Sequence, residues 1–132
     1  MQYMLLIYID EQALSEAQRT TCYEESTHFA HQLNASGKYV AAAPLHPTST
    51  ATSVRMRDGR RMITDGPFAE TREQLGGFFL VEANDLDEAI NIATRLPAGR
   101  WGTVEVRPVV AIPDLPAKSF ARPVDFAGSR ST

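Results

Sequence analysis

Hydrophobic side chains occupy nearly every position from Tyr3 to Ile9, with Tyr3, Leu5, Ile7 and Ile9 on one side of an extended chain and Met4, Leu6 and Tyr8 on the other. A strand apolar on both faces belongs in the middle of a sheet that is covered on both sides, so residues 2–9 are expected as a central strand. The period then changes. Ser15 followed by Gln18 has the spacing of a capping box, and Cys22, Tyr23, Phe29, Ala30 and Leu33 recur at three- and four-residue steps until Gly37. This predicts a helix over about 16–35 with Gly37 as its stop. Residues 38–45 read as a second strand, ended by Pro44 and Pro47 on either side of His46.

Residues 51–57 alternate and are rich in β-branched side chains, and Asp58-Gly59 then supplies the sequence of a type I′ turn. A hairpin with a return arm over about 60–64 is expected. After Gly76-Gly77 comes Phe78-Phe79-Leu80-Val81, again apolar on both faces. Asp85 with Glu88 predicts a second capping box, and Leu86, Ala89, Ile90, Ala93 and Leu96 the buried stripe of a second helix that stops before Pro97. A last strand over roughly 103–110 alternates Val104 and Val106 with Thr103, Glu105 and Arg107, a pattern suited to a sheet edge.

With the hairpin set aside, the order is βαββαβ, the ferredoxin-like split unit: an α+β fold with an antiparallel sheet. Its two central strands would be the two that are apolar on both sides. Helices cover one sheet face, so the other needs a cover, and a second subunit stacked sheet to sheet supplies one economically. A homodimer is therefore expected. The alternative is the C-terminal segment 111–132, which holds Pro113, Pro116 and Pro123 and the apolar anchors Leu115, Phe120, Val124 and Phe126. That extension is expected to dock on the partner subunit or to cover the sheet within one chain.

Length and composition narrow the functional classes. At 132 residues the chain is expected as one domain, large enough to fold without disulfides or a structural metal. The single cysteine, Cys22, rules out an intrachain disulfide and a Cys-rich zinc site. A net charge of −3 without a block of Lys or Arg argues against a nucleic-acid partner. The apolar run at residues 3–9 has no basic flank and meets Asp10-Glu11 at once, so neither a signal peptide nor a membrane span is expected. The expectation is a cytoplasmic protein.

The candidate chemistry sits in Asp65-Gly66-Pro67-Phe68-Ala69-Glu70-Thr71, followed by Arg72-Glu73-Gln74-Leu75-Gly76-Gly77. Two readings stand side by side. In the structural one, Asp65 accepts backbone N–H groups as an Asx-type turn does, Phe68 plugs the core between hairpin and first helix, and Glu70 accepts from Thr71, Arg72 or another arginine. In the functional one, Asp65 lies at a pocket rim and exchanges a proton. Arg55 and Arg57, on one face of their strand, would clamp an anionic group of the substrate, with Phe68 and Glu70 beside them. His46, held between two prolines, is the histidine expected to serve as acid or base with Asp65. His28 and His31 lie three apart on the first helix and read as polar helix-surface residues, so no metal is expected. Cys22 falls on the apolar stripe and reads as core. Gly76-Gly77 lacks the Lys-Ser/Thr and the helix of a phosphate loop, and marks close backbone approach instead.

Segment 65–77, with Ala51-Thr52-Ser53-Val54-Arg55 upstream and Val104-Glu105-Val106-Arg107-Pro108 downstream, resembles the YCII-related family, specifically its DGPF-domain branch, over roughly residues 1–110. The resemblance implies a dimeric α/β barrel built on a ferredoxin-like unit. It also implies company with bacterial sigma-factor systems, hence a transcription-related protein partner. Distant relatives carry a His–Asp pair proposed as an active site, which is not carried over to a histidine here, and one relative is a dehalogenase of chlorinated aromatics. Two functions follow as expectations. One is a small-ligand protein or cofactor-independent enzyme of lyase, isomerase or hydrolase type, acting on a small anionic compound. The other is a non-catalytic homodimeric regulatory protein.

Overall fold

The computed structural model describes residues 1–116; the anchors Phe120, Val124 and Phe126 lie outside them. Six strands and two helices follow in the order β1 Gln2–Ile9, α1 Glu16–Ala35, β2 Tyr39–Pro44, β3 Thr52–Arg57, β4 Arg60–Asp65, β5 Gln74–Glu82, α2 Leu86–Thr94 and β6 Gly102–Pro108. Four of the strands form one antiparallel sheet in the order β2-β5-β1-β6, and β3 and β4 form a separate two-stranded ribbon. This is the ferredoxin-like arrangement, an α+β fold, with the two doubly apolar strands in the middle.

Local chemistry sets the element ends. Ser15 Oγ accepts from the Gln18 N–H at 3.1 Å and Gln18 Oε1 accepts from the Ser15 N–H at 2.9 Å, completing the box at the start of α1. Gly37 ends that helix with φ +75°, a left-handed value that a side chain would strain. Asp85 caps α2 by accepting from the Glu88 N–H at 2.9 Å. Glu88 reaches one residue further back than a capping box requires, accepting from the Asn84 N–H at 2.6 Å and pairing with Lys38 at 3.0 Å, which staples the end of α1 to the start of α2. At the ribbon tip Asp58 and Gly59 take φ of 51° and 73°, as a type I′ turn demands.

Both helices lie on one face of the sheet. Tyr3, Leu5 and Ile7 on β1 and Phe79 and Val81 on β5 meet Cys22, Phe29 and Leu33 from α1 and Ala89, Ile92 and Leu96 from the α2 side. Phe29 and Tyr39 pack against the Phe79 ring, with centroids 6.0 and 6.5 Å away. The stripe expected on α2 is rotated: Ile92 is buried, whereas Leu86 and Ile90 are about half exposed. Ala89, Ile92, Ala93 and Leu96 form the inward i, i+3, i+4, i+7 set, a geometry that places Leu86 and Ile90 on its flanks. On the opposite sheet face the register pairs Met4 with Leu80 and Leu6 with Phe78. Leu80 is buried there, while Met4, Leu6, Tyr8 and Phe78 keep part of their surface. Among the described residues no helix is long and apolar enough to cross a membrane.

Candidate functional site

The sheet does not fill evenly under α1. Toward β1 and β6 the helix side is packed by large side chains, but toward β2 both walls are small. The helix presents Ser26, Thr27 and Ala30, and the sheet presents Ala42, Ala43 and Gly77. Phe29, Leu33, Tyr39 and Phe79 act as a wedge that keeps helix and sheet apart. Small residues across a fixed separation leave space, and an open groove of about 390 Å3 results. Its floor depends on the glycine pair. Gly76 is the extra residue of a bulge between the Ile7–Gly77 and Tyr8–Leu75 pairs, and a Cβ there would lie 2.8 Å from the Ile9 side chain. A Cβ on Gly77 would lie 2.9 Å from the Ala43 carbonyl oxygen, so only glycine lets β2 and β5 approach this closely. The two glycines fall inside β5, which begins at Gln74, rather than before it.

The groove has a polar edge on its helix wall. Tyr23, Thr27, His31 and Asn34 follow one another along α1 at steps of three and four, so they line a single ridge. Thr27 Oγ1 donates to the Tyr23 carbonyl at 2.8 Å. Neither His31 nor Asn34 makes a side-chain hydrogen bond among the described residues. Cys22 closes the inner end, its Sγ 4.0 Å from Ser26 Oγ. Burial pushes the Cys22 thiol up, with the Ser26 contact opposing, so at neutral pH the sulfur is a protonated, weakly polar wall. The two α1 histidines diverge. His31 lines the groove, whereas His28 Nε2 is 3.3 Å from Gln32 Nε2 and lies on the side of α1 that faces Arg95 and Pro97. Both are exposed; three residues along a helix leave them about 60° apart on its outer side, so that each borders a different edge of α1. Among the described residues no three His, Cys, Asp or Glu side chains converge as a metal site would need.

The residues singled out from the sequence lie elsewhere. Asp65 pairs with Thr52 at the base of the ribbon and is exposed, and its carboxylate accepts no hydrogen bond among the described residues. The turn after it is held by the main chain instead: the Gly66 N–H donates to the Ala51 carbonyl at 2.8 Å, and Ser53 Oγ donates to the Gly66 carbonyl at 2.7 Å. Gly66 itself has φ +106°, which explains a glycine before Pro67. Phe68 is no core plug. It is 79% exposed, with the Arg55 guanidinium 5.8 Å from its ring centroid. Arg55 and Arg57 do share a face of the ribbon, together with Arg60. Glu70 is exposed and takes neither expected partner, because Thr71 Oγ1 donates to the Glu73 carbonyl at 2.6 Å and Arg72 Nε to Asp10 Oδ2 at 3.2 Å. His46 is exposed in its loop. Arg55 and Phe68 are thus brought together, but none of Asp65, His46, Arg55, Arg57, Phe68 or Glu70 lines the groove. His31 was visible as a histidine on α1; the alternation of small residues on α1, β2 and β5 was the signal for the space beside it.

Comparison with known proteins fits this architecture. An uncharacterised protein of Rhizobium meliloti (strain 1021) is 37% identical over 118 residues, covering 83% of this chain and 92% of the relative. Among solved structures, 5-chloro-2-hydroxyhydroquinone dehydrochlorinase from Burkholderia phenoliruptrix AC1100, in complex with 2,5-dihydroxybenzoquinone, matches 83% of this chain and 94% of its own with a TM-score of 0.50 at 17% identity, a likeness of fold. The model of the YCII-related domain matches residues 1–113, and the chain belongs to that family.

Proposed function

We propose that this protein binds a small organic molecule in the groove between α1 and the β2–β5 half of the sheet, and that any chemistry it performs takes place there without a cofactor. The observation that carries the reading is the groove itself: about 390 Å3 of space, mostly apolar, with a hydrogen-bonding ridge on one wall. Pockets for small molecules have this character, an apolar lining with a few placed polar groups. His31, an exposed lining side chain with ring nitrogens that can donate or accept hydrogen bonds, would meet the polar end of a ligand there. A small-molecule enzyme already occurs on this fold, in the dehydrochlorinase, which supports reaction chemistry as compatible with the architecture. The test is a ligand screen by thermal shift followed by backbone chemical-shift mapping. Hits should perturb Ala30, Ala42 and Gly77. Perturbations confined to the ribbon around Arg55 and Asp65 would sink the proposal.

A homodimer remains part of this reading, supported by the partly exposed apolar row Met4, Leu6, Tyr8 and Phe78 on the sheet face away from the helices. Stacking that face on a second copy would bury it. Sedimentation should give a dimer for the wild type and a folded monomer for Leu6→Asp. A wild-type monomer at micromolar concentration refutes it.

A further inference from the structure

We infer that the groove takes an uncharged, flat ring compound with one hydrogen-bonding edge and rejects the carboxylated counterpart of the same ring; this rests on the groove being the ligand site. The first observation is a count. Eighteen residues line the groove, and among the described residues none is Asp, Glu, Lys or Arg. Charged residues make up 22% of the chain, so eighteen positions drawn at that rate would hold about four. The chain's charges are placed elsewhere: four arginines on the ribbon, and carboxylates at helix starts and in loops.

The charges nearest the groove lie outside its lining. Arg100 and Glu25 form an ion pair beside the inner end, and Arg100 also lies over the Trp101 ring, 4.5 Å from its centroid. Their influences on the Cys22 thiol have opposite signs, and Arg19 adds a weaker one in the same direction as Arg100. A carboxylate entering the groove would give up part of its water and meet no counter-charge among the lining side chains, which disfavours it. A neutral ring loses little and gains apolar contact.

Shape and polarity complete the class. Toward β2 the sheet wall is the Ala42 methyl and the main chain of Ala43, Gly76 and Gly77, bordered by the Ile7, Ile9, Tyr39 and Phe79 side chains, a low stretch between larger groups that accepts a planar face. Opposite it, Thr27 has spent its proton on the Tyr23 carbonyl and keeps its lone pairs, and His31 and Asn34 have side-chain capacity left among the described residues. A hydroxyl or carbonyl on the ligand's edge would find both donors and acceptors on this ridge.

The test uses the full chain, with naphthol and naphthoate as probes of one ring system, by isothermal titration at neutral pH. Three variants are compared: Ala30→Leu, which narrows the groove; Arg55→Gln with Arg57→Gln, which removes two of the ribbon's four arginines; and Asn34→Ala, which trims the polar ridge. Circular dichroism verifies folding. Naphthol should bind at least tenfold more tightly than naphthoate, lose at least tenfold in Ala30→Leu, lose severalfold in Asn34→Ala, and be unchanged in the arginine variant. Naphthoate binding as tight as naphthol and equally sensitive to Ala30→Leu would overturn the charge inference while leaving the groove as the ligand site. Naphthoate binding lost only in the arginine variant would also overturn it, placing the anion site on the ribbon. Binding of both probes untouched by Ala30→Leu would remove the groove reading and this inference together.

Discussion

Substituting Ala30 by leucine asks whether the space under α1 is real. Enlarging a side chain in a packed interior normally destabilises by about 1–3 kcal/mol, because neighbours must leave their rotamers. Ala30 is half-buried and borders a groove of about 390 Å3, so the larger side chain has somewhere to go. Leucine adds three carbons, worth about 0.8 kcal/mol each if fully buried, or about 2.4 kcal/mol together. An open groove leaves roughly half of that surface wet, reducing the gain to about 1.2 kcal/mol. Ordering the side chain costs about 0.5–1 kcal/mol, and leucine is close to alanine in helix propensity. The net change should lie between zero and about 1 kcal/mol of added stability, a rise in Tm of at most about 4 °C for a chain of this size. Urea unfolding followed by circular dichroism measures it. A loss of more than about 1 kcal/mol would mean that α1 and the sheet are in contact there, and the account of the groove from small residues on both walls would be wrong.

Three further outcomes are expected. The Asn84 N–H, and then Lys38, hold the Glu88 carboxyl below the usual carboxylate range, so its stabilisation is present above that range and is lost as pH falls through the depressed value. Wild-type stability should therefore fall more steeply than that of Glu88→Gln on acidification through about pH 4, and parallel profiles in urea unfolding would contradict the staple. Burial raises the Cys22 thiol, so alkylation by iodoacetamide at neutral pH should be at least tenfold slower than for a free thiol, speeding up as the medium turns alkaline; mass spectrometry showing rapid labelling would mean that the inner end of the groove is open to solvent. Asp65→Asn and His46→Gln should each leave groove-ligand affinity within about twofold, since both side chains are exposed and away from the groove, and a tenfold loss in either would move the site to the ribbon base.

Much of the architecture was legible in the chain because its signals are local. The Ser15–Gln18 box, the Gly37 stop and the Asp58-Gly59 turn each work within a few residues, and the structure realises them as read. The doubly apolar runs around Leu5 and Phe79 announced the two central strands, since such runs have no other stable place in a sheet. Where local signals compete, the reading was looser. Glu88 looked like the reciprocal member of a second box, but the approach of Lys38 and the Asn84 N–H drew it one residue back.

The candidate site was less legible, for a physical reason. Asp65, Phe68 and the nearby arginines were conspicuous as chemistry, but chemistry needs enclosure, and enclosure depends on what packs alongside. The ribbon packs chiefly on itself, leaving Val54, Met56, Ile63 and Phe68 more than half exposed. The groove draws on Ser26, Thr27, Ala30, Ala42, Ala43 and Gly77, residues too small to attract notice singly and up to 51 positions apart between the first and last. Periodicity and capping determined by themselves that α1 would bury Cys22, Phe29 and Leu33. Only the tertiary packing of the flank beside them against β2 and β5 decided that the helix and sheet would stay apart there, because a cavity is a relation between surfaces and not a property of either.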